Sequence, residues 1–377
     1  MRDISKIDKN FAVNTKIGKD DVVYRNVLEE PFKVYGVYHE DGKFRRLPEA
    51  VAKTVSEGVL ALHANCAGGR VRFRTNSKYV AIYAELENIG RMPHFPLTGA
   101  AGFDIYADYG VPDRFLMTFV PPYDMVDSYE SVCNLFTAED REVTINFPLY
   151  TDVKNLYVGV SKDAYIEAPK PYKIEKPVVY YGSSVTQGGC ASRPGNAYQA
   201  VISRRLSCDH INLGFSGVAQ AELEIANYIR DLDMSAFVFD YDHNAPSFEH
   251  LEKTHERMYK IIREAHPDIP IIFASKPKYL NDLYTERWFA DQYGLDAYNI
   301  KTLDDEANFG LTRTLEIIQK TYKNAIAAGD KNVYLIPGGE LMKYCDHDGT
   351  VDICHPTDYG FASMARVFGD LLEKVLK

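Results

Sequence analysis

The stretch Tyr181-Gly182-Ser183-Ser184-Val185-Thr186-Gln187-Gly188-Gly189 decides how the second half of the chain is read. It follows the apolar run Pro177-Val178-Val179-Tyr180 and precedes a helix-like segment that starts near Asn196. That order is strand, tight turn, helix. A serine on such a turn sits at the carboxyl edge of a sheet with its hydroxyl exposed. Backbone N–H groups of the turn and the next helix favour a developing negative charge there. Gly182 and Gly188 would let the backbone turn sharply where a side chain would clash. A plain glycine-rich turn with two solvated serines has the same composition, so this stretch alone leaves both readings open.

Outward from it, strand and helix patterns alternate. Candidate strands lie at 178–181, 210–213, 236–241, 270–275 and 332–336, and candidate helices at about 196–207, 219–231, 248–265, 312–328 and 358–376. Five such units with buried-type strands predict an α/β domain with a doubly wound, flavodoxin-like parallel sheet over 177–377. A long Tyr- and Asp-rich segment, 279–310, interrupts the alternation and holds Trp288, the sole tryptophan. Upstream, the runs at 71–74, 79–84, 102–107, 143–148 and 156–160 are short, alternating and separated by turn residues such as Thr75-Asn76-Ser77. They predict an all-β sandwich domain over 1–170. Ala168-Pro169-Lys170-Pro171-Tyr172-Lys173, with the residues up to Pro177, has no period and reads as the linker.

Composition bounds the partners. The chain has 377 residues and a formal net charge of −10, with a pI of about 5.5. An acidic balance carries no nucleic-acid footprint. No run of about 18 apolar residues occurs, so no membrane span is expected. The first nine residues are charged and lack the apolar core of a secretory signal. Six cysteines are scattered without a CxxC or a framework spacing. They read as reduced thiols and predict a cytoplasmic location.

Chemistry gathers at the predicted carboxyl ends of the strands, where an open α/β sheet binds its ligands. Ser184 follows the first strand. Asn212-Leu213-Gly214-Phe215-Ser216-Gly217 follows the second, and Asp240-Tyr241-Asp242-His243-Asn244 the third. Asp352-Ile353-Cys354-His355-Pro356 precedes the last helix. Together they supply a hydroxyl, an imidazole, a carboxylate, a glycine N–H and an amide, the inventory for acyl transfer.

These four blocks, in this order, resemble the SGNH (GDSL-type) hydrolases. Gly182–Gly188 is similar to the nucleophile block, with Ser183 in place of the usual aspartate. Asn212–Gly217 resembles the second block. Asn244 stands where the third block has its asparagine, though the usual Gly-x-Asn-Asp is missing. Asp352–His355 resembles the Asp-x-x-His block. Gly102-Phe103-Asp104-Ile105-Tyr106 is similar to the Gly-x-Asp-Leu-Tyr motif of a β domain found ahead of some SGNH hydrolases. The whole arrangement resembles two-domain carbohydrate esterases with an N-terminal jelly roll.

The resemblance implies a Ser184–His355–Asp352 triad without a cofactor or metal. In it, His355 takes the Ser184 proton and returns it to the leaving alkoxide, while Asp352 fixes the tautomer. Ser184 N–H, Gly217 N–H and the Asn244 amide would form the oxyanion hole, each donor typically worth about 3–4 kcal/mol. The resemblance also implies an O-acylated carbohydrate as substrate, most readily O-acetyl. An esterase of small acyl esters or lipids, and a non-catalytic carbohydrate-binding protein, are the alternatives. Ser183 is an alternative nucleophile. His243 reads as a structural histidine or as part of the acyl pocket, and Trp288 as a sugar-stacking lid residue or part of a packed loop. Cys345-Asp346-His347-Asp348 with Cys354-His355 looks metal-like, but its spacing fits no zinc template.

Overall fold

The computed structural model describes residues 4–277 and 311–376. It contains two compact units. The first takes the chain up to Arg45, Ala64–Pro171 and Ser192–Pro194. The second takes Arg46–His63, Tyr172–Ala191 and the chain from Gly195 on. The chain passes between them at Pro171–Tyr172, inside the proline-rich linker. The division differs from a single boundary near 170 in one large segment, Arg46–His63. It forms two short helices, Glu49–Val55 and Glu57–Leu62, and folds with the second unit. Each spans at most two turns, too short for a helical period to stand out from the β-rich sequence around it.

The first unit is a sandwich of two antiparallel sheets. One has the order Val22–Asn26, Asp152–Ser161, Tyr79–Glu87, Ser128–Asn134. The other runs Ile166–Glu167, Arg70–Thr75, Arg141–Asn146, Phe103–Ala107, Arg114–Phe119, with Lys33–Tyr35 also paired to Arg70–Thr75. Alternate residues of both sheets build one core. Val80, Ile82, Leu156 and Val158 come from the first sheet, and Val71, Phe73, Ile105 and Ile145 from the second. The strands flanking Thr75-Asn76-Ser77 lie in different sheets, so this turn crosses the sandwich rather than closing a hairpin.

The Gly-x-Asp-x-Tyr run has a local role here. Asp104 is fully buried; it accepts a bond from Asn146 Nδ2 (2.8 Å) and pairs with Arg193 at 3.1 Å. The Tyr106 hydroxyl also receives an Arg193 N–H, and the guanidinium lies 3.7 Å from the Phe115 ring centroid. Two motif side chains thus anchor the three-residue segment Ser192–Pro194 to this unit.

The second unit is built on five parallel strands: Ile174–Gly182, Cys208–Gly214, Ala236–Asp240, Ile271–Ala274 and Val333–Ile336. Their spatial order is second, first, third, fourth, fifth. The first strand starts earlier than its apolar run. Its pairing with Cys208–Gly214 skips from Ile174 to Val178, an irregularity that holds Pro177, which has no N–H to give a ladder. Val179, Tyr181, Phe237, Phe239 and Ile271 face helix residues such as Ile225, Met258 and Ile262 in a second core. The long helix Phe248–Ala265 starts where Ser247 accepts the His250 N–H (3.1 Å). Among the described residues, no helix is long and apolar enough to cross a membrane. Strand order reverses between the first strand and its two neighbours, and the carboxyl ends there carry the polar blocks.

Candidate active site

Gly182 ends the first strand, and a short helix, Ser184–Gln187, follows at once. A Cβ on Gly182 would collide with Asp240 and Thr186, so only glycine lets these elements close up. The two serines at the turn have separate duties. Ser183 is wholly buried and caps the helix, its Oγ accepting the Val185 N–H at 3.2 Å. Ser184, 7% exposed, is the first helical residue, and its Oγ lies 3.0 Å from His355 Nε2. The helix ends at Gly188, with φ +99° in the left-handed region glycine favours.

His355 is held from the other side by Asp352. The His355 Nδ1–H donates to Asp352 Oδ2 (2.7 Å), which leaves Nε2 as the acceptor facing Ser184. Asp352 Oδ1 takes two backbone N–H groups, from Cys354 (3.0 Å) and His355 (2.7 Å). Burial opposes its charge. The His355 backbone and ring bonds, its attraction to His355 and the Cys354 N–H outweigh that and hold the carboxyl below its ordinary value. Ile353, between them, adopts φ +65°, a conformation β-branched residues rarely take. The turn therefore stores strain where it presents the imidazole.

The second block is tied to the first by buried side chains. Asn212 Nδ2 donates to the Thr186 carbonyl (2.7 Å), and its Oδ1 accepts the Gly214 N–H (2.9 Å). Gln187 Oε1 accepts the Ser216 N–H (3.0 Å). Gly217 follows with φ +74°. Asn244 sits on a helical turn after the third strand and donates through Nδ2 to the Phe215 carbonyl at 3.1 Å. One amide hydrogen is thereby used to fix Asn244 on the turn that carries Gly217, and the second remains in its inventory. Thr186 and Gln187 fall inside the block quoted from the sequence, but these cross-ties were not legible there: neither side chain advertises a partner.

Beneath the turn, Thr186 Oγ1 donates to Asp240 Oδ1. Burial pushes the Asp240 carboxyl up to about 8, against the pull of the Thr186 bond and with help from Asp242. Asp242 accepts the Lys276 backbone N–H (3.0 Å). His243 is half-buried, but its Nε2 is enclosed and lacks a partner among the described residues. Burial, then Lys276, then His355 push it down to about 3, so it is neutral at physiological pH. It lines a cavity of about 600 Å³ with Asp242, Phe248, Lys276 and Thr314. Cys345, from the metal-like run, is buried with its Sγ against the Met342 carbonyl (3.1 Å). Trp288 and the segment 279–310 lie outside the described residues.

A hydroxyl within reach of a carboxylate-oriented imidazole, beside a left-handed glycine turn and a fixed amide, is the geometry of nucleophilic acyl transfer. It sits at the carboxyl edge of a five-stranded parallel sheet of the SGNH-hydrolase type. The chain belongs to the GDSL-like lipase/acylhydrolase family, whose model matches residues 175–377. Residues 22–166 match a model described as the N-terminus of SGNH-hydrolase-type esterases.

Among solved structures, it is similar to a GDSL-lipase-like protein from Bacteroides ovatus ATCC 8483. That match has 28% identity, a TM-score of 0.79, and 94% of this chain aligned with 98% of the other. The salicylyl-acyltransferase SsfX3 from a tetracycline biosynthetic pathway shares the fold at 20% identity and a TM-score of 0.70, over 95% and 100% of the two chains. A family two carbohydrate esterase from Cellvibrio japonicus shares it at 13% identity and a TM-score of 0.56, over 94% and 98%. No curated protein sequence matches the chain.

Proposed function

We propose that the protein is a serine esterase that removes O-acyl groups, O-acetyl foremost, from carbohydrates. One observation carries the chemistry: the continuous hydrogen-bonded series from Asp352 through His355 to Ser184, at 2.7 and 3.0 Å. Ser184 Oγ attacks the ester carbonyl as its proton passes to His355 Nε2. The tetrahedral oxyanion is met by the Ser184 and Gly217 N–H groups and the Asn244 amide. On collapse, the C–O bond to the sugar breaks and His355 returns the proton to the leaving alkoxide. Water, activated by the same imidazole, then attacks the acyl-enzyme and releases the acid and free Ser184. Asp352 orients the ring and stabilises the imidazolium in both halves.

The sugar side of the reading is supported by architecture. Two carbohydrate esterases share the fold over 94% of this chain, both of its units included, which is analogy at the level of fold. His243, neutral and lining the cavity beside Asp242, belongs in this reading to the substrate pocket. The test is acetate release from acetylated xylo- and manno-oligosaccharides, measured beside p-nitrophenyl acetate and p-nitrophenyl octanoate. A kcat/KM higher on an acetylated oligosaccharide than on either chromogenic ester is expected. Turnover of the chromogenic esters with no acetate from any glycan would make the protein a small-ester esterase instead.

A further inference from the structure

Arg46 comes from the N-terminal half of the sequence, yet it folds with the hydrolase unit and is only 2% exposed. Its guanidinium reaches the end of the strand Cys208–Gly214, which is an edge of the parallel sheet. Nη1 donates to the Gly214 carbonyl (2.7 Å) and the Asn212 carbonyl (3.1 Å), while Nη2 donates to the Leu62 carbonyl (3.0 Å). The guanidinium carbon lies 4.9 Å from the Phe215 ring centroid, a cation–π stack. A planar fork with five donors can do all this at once; a lysine cannot.

The partners of Arg46 run straight into the turn that carries Gly217. Phe215, stacked on Arg46, donates its N–H to the Gly182 carbonyl (2.9 Å), and its carbonyl receives Asn244 Nδ2 (3.1 Å). On the far side of Gly217, Val218 packs so tightly on Gly58 that a Cβ there would strike the Val218 side chain. The segment Arg46–His63 therefore grips this turn at both ends, through Arg46 before Gly217 and Gly58 after it.

We propose that Arg46 is a positioning residue for the oxyanion-binding turn Gly214–Val218. Arg46–His63 is then part of the catalytic unit, although it lies more than a hundred residues before Ser184 in sequence. The inference rests on the serine-esterase reading above. The chemistry needs donors placed to within a fraction of an ångström, and a misplacement of about 1 Å can cost about 10²-fold in rate. Arg46 touches no reacting atom. It satisfies two carbonyls that an edge strand would otherwise leave unpaired, and so fixes where the next N–H groups point.

The experiment uses the full chain carrying Arg46→Lys or Arg46→Ala. Active sites are first titrated with a p-nitrophenyl alkylphosphonate, and p-nitrophenyl acetate turnover is then expressed per titrated site. Expected is a per-site kcat lower by about tenfold for Arg46→Lys and nearer 10²-fold for Arg46→Ala. KM should stay within about twofold and the pH midpoint should not move. The phosphonylation rate constant should fall in step, since that reaction also loads the oxyanion hole. Fewer titrated sites with wild-type turnover per site would overturn the inference, because a merely structural residue changes the folded fraction alone. Normalising per site keeps the result readable where Arg46→Ala folds poorly. A wild-type protein that neither turns over the ester nor reacts with the phosphonate would instead overturn the esterase reading, and the inference with it.

Discussion

At the scale of single residues, the site divides work between neighbours that look interchangeable in sequence. Ser183 and Ser184 are adjacent hydroxyls, with Ser184 read from the sequence as the nucleophile and Ser183 as its alternative. The structure gives Ser183 a cap bond to Val185 and puts Ser184 against His355. Ser183→Ala should therefore cost stability, about 1 kcal/mol as for other lost N-caps. A chemical-denaturation midpoint lowered with m unchanged would check this. Asn244→Ala should lower kcat by about 10²-fold or more, as expected for loss of an oxyanion donor, with little change in KM. Full activity in that variant would remove Asn244 from the oxyanion hole. Asp352→Asn should cost less than His355→Ala on p-nitrophenyl acetate. An asparagine at 352 still offers an acceptor to the two backbone N–H groups of the turn, even though it cannot stabilise the imidazolium as a carboxylate does.

At the scale of elements, legibility followed burial and length. Most of the five parallel strands were readable because they hold a short apolar run, such as Ala236-Phe237-Val238-Phe239, while Cys208–Gly214 carries Asp209, His210 and Asn212. The helix Phe248–Ala265 was readable as the segment between two strands, and its placement at about 248–265 holds. The strands Arg114–Phe119 and Ser128–Asn134 were missed. Much of each is partly exposed, which blurs the period-two signal. The helices in Arg46–His63 were missed for their shortness. Arg46 was invisible for a different reason, since Arg45 and Arg46 are both buried and nothing in the pair says which one reaches the glycine turn. The glycines, by contrast, were informative. A Cβ on Gly214 would run into the backbone of Gln187, so Gly214→Ala should push the second block off the helix Ser184–Gln187. A loss of about 1–3 kcal/mol is expected, as for other overpacked sites, with reduced kcat. Wild-type melting and turnover would contradict the close approach.

At the scale of the whole molecule, buried titratable groups set how stability responds to pH. His255 is 1% exposed, stacked on Phe239 at 4.6 Å and edge-on to Phe273 at 5.0 Å. Neither ring nitrogen has a partner among the described residues, and burial pushes it down to about 3. An unfolded histidine titrates near 6.5, so between about pH 3 and 6.5 the unfolded chain binds one more proton. Stability from this residue is thus complete above about 6.5 and lost as the pH falls towards 3. His255→Phe should remove that loss. Its advantage over wild type should be larger at pH 5 than at pH 7.5, by on the order of 2 kcal/mol. An equal difference in melting temperature at the two pH values would contradict it. The central claim, however, is that the molecule is organised to activate one hydroxyl. The measurement that tests it most directly is the intact mass of wild type, Ser183→Ala and Ser184→Ala after reaction with a p-nitrophenyl alkylphosphonate, read beside acetyl-ester turnover. The account predicts one phosphonyl adduct and ester turnover in wild type and Ser183→Ala, and neither in a folded Ser184→Ala. An adduct and undiminished turnover in Ser184→Ala would contradict it.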